Sequence, residues 1–230
     1  MKIRTRGLLF DMDGILISSI GSVERSWALW AQARNMDVTE IIANSHGQRA
    51  LDIIRKLVPP EEVDAEFKRI EEIECEDTEG LQVLEGVKPI LDTIPQKFWT
   101  IVTSATERLA RVRLCAGGIP VPENFVTSER VRKGKPDPEP YVKGAQLLGL
   151  DPIDCLVIED SASGARAGKA AGCRVMATLF SHKQEDLEAA DYIVRSLADV
   201  TVRILPGNYE LQLEFEDLNE EPERFPIRRV

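Results

Sequence analysis

Apolar and polar positions along the 230-residue chain fall into two textures. Over residues 7–16 and about 85–200, short apolar runs alternate with helix-length segments: GLLFD, FWTIVTS, NFVTSE, DCLVIED, CRVMATL and DYIVRS. An apolar run without alternation suits a strand buried on both faces. Such strands spaced by helices imply βαβ units and a parallel sheet. TERLARVRLCAG reads as a helix stopped by Gly117 and Gly118. DPEPYVKGAQLLGL reads as one that starts on Asp and Pro and ends near Gly149.

The second texture, over residues 20–82, contains no strand pattern. Val23, Trp27, Trp30 and Ala31 fall on one helical face, and so do Val63, Phe67, Ile70 and Ile73. RALDIIRKLV between them forms a third helix, with Ser45 and Gln48 at capping-box spacing before it. EGLQVLEGV (79–87) reads as the linker back to the α/β body. The expected division is a core of residues 1–18 and 84–230 with a helical cap over 19–83. Residues before Gly7 are read as a short tail. Beyond residue 200, two alternating runs flank Pro206, Gly207 and Asn208, a β-hairpin pattern, and LNEEPERFPIRRV is a polar, loosely held end. The fold class is therefore α/β: a Rossmann-like parallel sheet with an inserted α-helical cap and a C-terminal hairpin.

Composition narrows the partners. The chain is 43% hydrophobic and 30% charged, as globular chains are, and its net charge of -10 repels nucleic acid and anionic membranes. No apolar run approaches the ~20 residues of a membrane span. MKIRTRGLLF lacks the apolar region and cleavage site of a secretory signal. Cys75, Cys115, Cys155 and Cys173 are scattered, so reduced thiols in a cytoplasmic protein are expected.

Chemistry gathers at the strand ends. Asp11 and Asp13 follow directly on Leu8, Leu9 and Phe10. Two carboxylates that close raise each other's pKa, so a metal, a reaction or water must offset the cost. FWTIVTS ends in Thr103 and Ser104, Lys135 precedes Pro136, and DCLVIED ends in Glu159 and Asp160. In a parallel α/β sheet, ligands bind beyond the carboxyl ends of the strands. Carboxylates, a hydroxyl and an ammonium converging there suit a hard cation and a phosphate. Read alone, Lys135 is one more lysine of a basic loop, and Ser104 is also placed to cap the next helix.

DMDGIL, VTSA, GKPDPEPY and VIEDSASGARAGKAAG, one per strand end and in that order, resemble the haloacid dehalogenase superfamily of phosphatases over nearly the whole chain. SHGQRALDII and AGKAAGC most resemble its glycerol-phosphate and 2-deoxyglucose-phosphate phosphatases. The resemblance implies a Mg²⁺-dependent phosphomonoesterase acting on a small sugar or polyol phosphate through an aspartyl-phosphate. It makes Asp11 the nucleophile and Asp13 the general acid and base. Ser104, Ala105 and Lys135 would hold the phosphoryl group. Mg²⁺ would sit on Asp11, Asp13 and Asp160, with Glu159 either ligating or standing behind. His46 and Arg49 would meet the substrate from the cap, and a monomer is expected.

Two departures stand out. Ile15 and Ser18 occupy positions where the family commonly has Thr and Asp. The rival readings are a mutase like β-phosphoglucomutase and a silent regulatory protein with the same fold. Near the place where such mutases carry a histidine, this chain has Val23; no nucleophile or metal ligand is missing, as it would be in a silent relative.

Overall fold

The computed structural model describes residues 1–45, 47–207 and 209–219. The chain opens on two strands rather than a tail: β1 (Lys2–Thr5) and β2 (Gly7–Phe10). β1 alternates, with Ile3 and Thr5 buried and Lys2 and Arg4 exposed, whereas all of β2 is buried. A two-residue strand, β3 (Ile17–Ser18), then leads into the helices α1 (Ile20–Ala33), α2 (Val38–Ser45), α3 (Ala50–Leu57) and α4 (Val63–Glu76).

These helices share a core of their own. Trp27, Trp30, Ile41, Ile54, Val63 and Ile70 pack together, and the two indoles meet edge to face at 5.7 Å. The capping box expected before α3 does not form. Arg49 is its N-cap, with no side-chain cap bond, and Ser45 instead closes α2, which the sequence pattern had not separated. The return linker contains β4 (Gln82–Val83), which pairs antiparallel with β3. The strands leaving and re-entering the α/β body are thus tied to each other at the base of the helical insert.

The body continues through α5 (Val87–Thr93), β5 (Trp99–Ile101), α6 (Glu107–Gly117), α7 (Glu139–Leu147), β6 (Cys155–Glu159), α8 (Ala162–Ala170), β7 (Arg174–Thr178) and β8 (Tyr192–Val194). The sheet order is β5-β2-β6-β7-β8, with every pair parallel. NFVTSE, read as a strand, makes only a single bridge from Val126 to Val102. The chain passes from β2 to one neighbour, β5, and then to the other, β6. Strand direction of travel reverses there, which opens a crevice at the carboxyl end of β2. β9 (Thr201–Ile204) and β10 (Leu211–Glu214) form the expected hairpin, and β1 pairs with β10 to complete a three-stranded antiparallel sheet.

Candidate active site

Asp11 is the first residue past β2, and its N–H still bonds the Ile158 carbonyl of the neighbouring strand at 2.9 Å. It is therefore held at the crevice by the sheet ladder itself. Oxygens of Asp11, Glu159 and Asp160 all lie within 4.8 Å of one another, and all three residues are buried. Lys135 reaches them from a loop: its Nζ donates to Asp11 Oδ1 at 2.6 Å and to Glu159 Oε1 at 2.7 Å.

Glycine is required twice in this arrangement. Gly14 has φ of 83°, and a Cβ there would stand 1.9 Å from Asp160 Oδ2. A Cβ on Gly164 would stand 1.6 Å from Glu159 Oε1, so only glycine lets α8 lie over that carboxylate.

The two neighbouring carboxylates at the end of β6, Glu159 and Asp160, are in different situations. Glu159 is fully engaged. Oε1 accepts from Lys135 and from the Tyr141 hydroxyl at 2.8 Å; Oε2 accepts from the N–H groups of Asp160 and Ser161 and from Ser161 Oγ. Burial pushes Glu159 up, but the Lys135 ammonium and these hydrogen bonds outweigh it and hold the carboxyl below its ordinary range. Burial raises Asp11 to about 7 against the pull of Lys135, with Glu159 and Asp13 adding to the rise. Asp160 is raised well above its usual value by burial and then by the charges of Glu159 and Asp11. Three buried carboxyls thus share the single ammonium of Lys135, and the donors are hard oxygens, so the site fits a hard divalent cation. Glu159 fits a different role, that of bracing Lys135 and the turn into α8, because both its oxygens are already taken.

Across the crevice, the turn after β5 brings Ser104 and Ala105 to the same pocket as Asp11, Asp13 and Asp160. Ala105 N–H bonds Thr103 Oγ1 at 3.0 Å. Ser104 does not cap α6; Thr106 does, accepting from Leu109 N–H at 3.2 Å. Ser104 Oγ instead donates to the carbonyl of Gly47, in the loop before α3, at 2.9 Å.

A model of haloacid dehalogenase-like hydrolases matches residues 5–172. The chain belongs to the haloacid dehalogenase-like hydrolases. It is 40% identical to hexitol phosphatase A of Escherichia coli, over 89% of this chain and 97% of that one. It is 32% identical to glycerol-1-phosphate phosphohydrolase 1 of Saccharomyces cerevisiae, over 94% of this chain and 93% of that one. Among solved structures, β-phosphoglucomutase from Clostridium difficile superposes with a TM-score of 0.74 over 84% of this chain and 92% of that one. At 18% identity, that likeness is one of fold.

Within this hydrolase, two cap residues expected at the substrate stand differently. His46 lies outside the described residues. Arg49 is buried and is not among the residues that line the pocket. Its guanidinium binds Asp52 at 2.6 and 2.9 Å and donates to the carbonyls of Val131 at 3.1 Å and Arg132 at 3.2 Å. Arg49 therefore fastens the helical insert to the loop that carries Lys135, and does not line the pocket where a substrate contact was expected.

Sequence reasoning also passed over a buried ion cluster. Arg113 on α6 is 3% exposed, 3.0 Å from Asp13 and 3.2 Å from Glu74 on α4. The signal was present: Arg113 follows Leu109 by four positions, and Glu74 follows Ile70 by four, so each charge sits on its helix's apolar stripe.

Proposed function

We propose that the protein is a Mg²⁺-dependent phosphatase that hydrolyses monophosphate esters of small polyols or sugars through an aspartyl-phosphate on Asp11. The observation that carries this reading is the arrangement at the switch point: Asp11 and Asp160 are buried together, with Lys135 Nζ 2.6 Å from Asp11. The family membership and the near full-length likeness to hexitol phosphatase A support the substrate class.

Asp11, Asp160 and the backbone at Asp13 would hold the cation, whose chemistry is to screen the phosphate charge from the attacking carboxylate. Lys135 fixes the orientation of Asp11. Ser104 Oγ and Ala105 N–H line the opposite side of the crevice, and would turn from the Gly47 carbonyl and Thr103 Oγ1 to donate to phosphoryl oxygens. An Asp11 oxygen bonds to phosphorus while the bond from phosphorus to the alkyl oxygen breaks, and Asp13 gives that oxygen its proton. Water then attacks the same phosphorus, its proton returns to Asp13, and orthophosphate leaves with Asp11 restored.

The insert over 19–83 acts as a lid on the core of 1–18 and 84–230, and its helices line the pocket's outer half through Val23, Trp27, Ile53 and Phe67. Val23 favours hydrolysis over the mutase alternative, since it brings no titratable group to a bound intermediate. A cytoplasmic setting agrees with four free cysteines. Among the described residues, no helix is long and apolar enough to cross a membrane.

The test is release of inorganic phosphate from a panel of monoesters with and without Mg²⁺, with Asp11→Asn as the control for contaminating activity. Mg²⁺-dependent release that the Asp11→Asn protein lacks is the expected result. No release from any monoester would overturn the assignment.

A further inference from the structure

Arg113 is among the residues that line the pocket, and its surroundings bear on which alcohol the pocket accepts. This inference rests on the phosphatase reading and names its substrate more narrowly. Apolar walls come from Ile20, Val23, Trp27, Ile53, Phe67 and Leu109; the polar lining groups include Asp13, Glu71, Glu74 and Arg113. Glu71 is paired with Arg108 at 3.6 Å. Arg113 is shared by Asp13 and Glu74, so one buried cation faces two carboxylates.

Two details point to a ligand. Arg113 Nε is buried and has no hydrogen-bond partner among the described residues. The Asp13 contact is a close ion pair without hydrogen-bond alignment, since Asp13 Oδ1 also lacks a hydrogen-bond partner among them. Buried donors and acceptors are seldom left unmet. Asp13 can therefore turn to the leaving oxygen without giving up a formed hydrogen bond. Arg113 keeps a donor for whatever lies beside it.

We propose that Arg113 and Glu74 form a specificity pair that selects a neutral polyhydroxylated leaving group and excludes one with a second anionic group. A hydroxyl both accepts and donates, so it can take the Arg113 N–H and give its own proton to Glu74. A carboxylate or a second phosphate only accepts. It would bring no proton to Glu74, whose donor is Arg113 Nη2 at 3.2 Å, and would set a second anion against the Glu74 carboxylate. The same pair positions Asp13, because Arg113 bridges it to a helix of the insert.

The experiment measures binding apart from turnover. In the full-length Asp11→Asn protein with Mg²⁺, calorimetry gives Kd for a hexitol monophosphate and for a sugar-acid monophosphate of the same carbon length. The hexitol ester should bind at least about tenfold tighter, and adding Glu74→Gln should shrink that ratio at least about fivefold. Equal affinities, or a ratio unmoved by Glu74→Gln, would overturn the proposal. If Glu74→Gln fails to fold by circular dichroism, Arg113→Lys serves in its place: it keeps the charge, loses Nε, and should weaken the hexitol ester alone. Equal weakening of both esters by Arg113→Lys would overturn the pair's role. Wild-type protein that released no phosphate would sink the phosphatase reading, while the Kd ratio would still decide this one.

Discussion

Lys135 Nζ lies 2.6 Å from Asp11 Oδ1, a contact between one loop and one strand end separated by 124 positions. The ammonium is 1% exposed; burial alone would lower its pKa, but the charges of Asp11 and Glu159 outweigh that and raise it. Lys135→Met should therefore do two things. It should abolish turnover, and it should destabilise the fold by about 3–5 kcal/mol, the usual cost of leaving buried charges unpaired. Urea unfolding of the two proteins checks the second; a stable Lys135→Met protein would show that Glu159 and Asp11 need no counter-charge.

Adding the metal should stabilise the protein. Asp11 and Asp160 are both held above their ordinary range by burial, and one ammonium shared with Glu159 leaves net negative charge for a cation to offset. At a hundredfold excess over Kd, Mg²⁺ would contribute about 2.7 kcal/mol. For a chain of this size that is a Tm increase of about 5–10 °C. Asp160→Asn should lose most of the shift. A melting curve unmoved by millimolar Mg²⁺ would remove the cation from the site.

The site's carboxylate frame was legible because Asp11 and Asp160 each follow an apolar run, whereas Lys135 sits in a basic loop. Leu8, Leu9 and Phe10 deliver Asp11, and the buried run Cys155–Glu159 delivers Asp160. The hairpin showed itself through its turn residues and alternation. What stayed hidden depends on tertiary pairing. β1 has only Ile3 and Thr5 facing inward, too few positions to establish a period. β3 and β4 are two residues each and exist because they meet. Arg113 and Glu74 resemble solvated charges until two separate helices are laid side by side. The need for glycine at position 14 was hidden as well, because the group its Cβ would meet is Asp160, from another strand end.

Acid should weaken the loop that carries Lys135. Glu139 Oε2 accepts from the N–H groups of Arg132 and Lys133 at 3.0 Å each, and Oε1 pairs with Lys143 at 2.8 Å. The Lys143 bond first, then the backbone N–H groups, lower its pKa from an ordinary 4.5 to about 2. A depressed carboxyl contributes stability above its unfolded pKa and loses it as pH falls through the folded one. The stability gap between wild type and Glu139→Gln should therefore be constant above about pH 5 and shrink steadily towards pH 2. Unfolding free energies measured across that range check it. A gap that widened in acid would contradict the assignment of Glu139 as the loop's clamp.

Arg49 supplies a discriminating case, because it sits in the helical insert but bonds the loop before Lys135. Its side chain lies against Gly134, where a Cβ would come within 2.7 Å of Nε, and its Nη groups hold the Val131 and Arg132 carbonyls. These contacts touch the loop before Lys135 and leave the pocket's outer half alone. Arg49→Ala would strip buried carbonyls of their donors, at about 1–3 kcal/mol for each group left unmet. It would also loosen the placement of Lys135 against Asp11. Both effects are indifferent to the alcohol being released. Arg49→Ala should thus lower kcat for a hexitol monophosphate and for an aryl phosphate by the same factor, with their ratio preserved. A substrate-contacting arginine would behave otherwise, raising KM for the hexitol ester while the aryl ester kept its rate. Steady-state kinetics on the two esters, run beside a urea titration, separates a strut from a recognition residue.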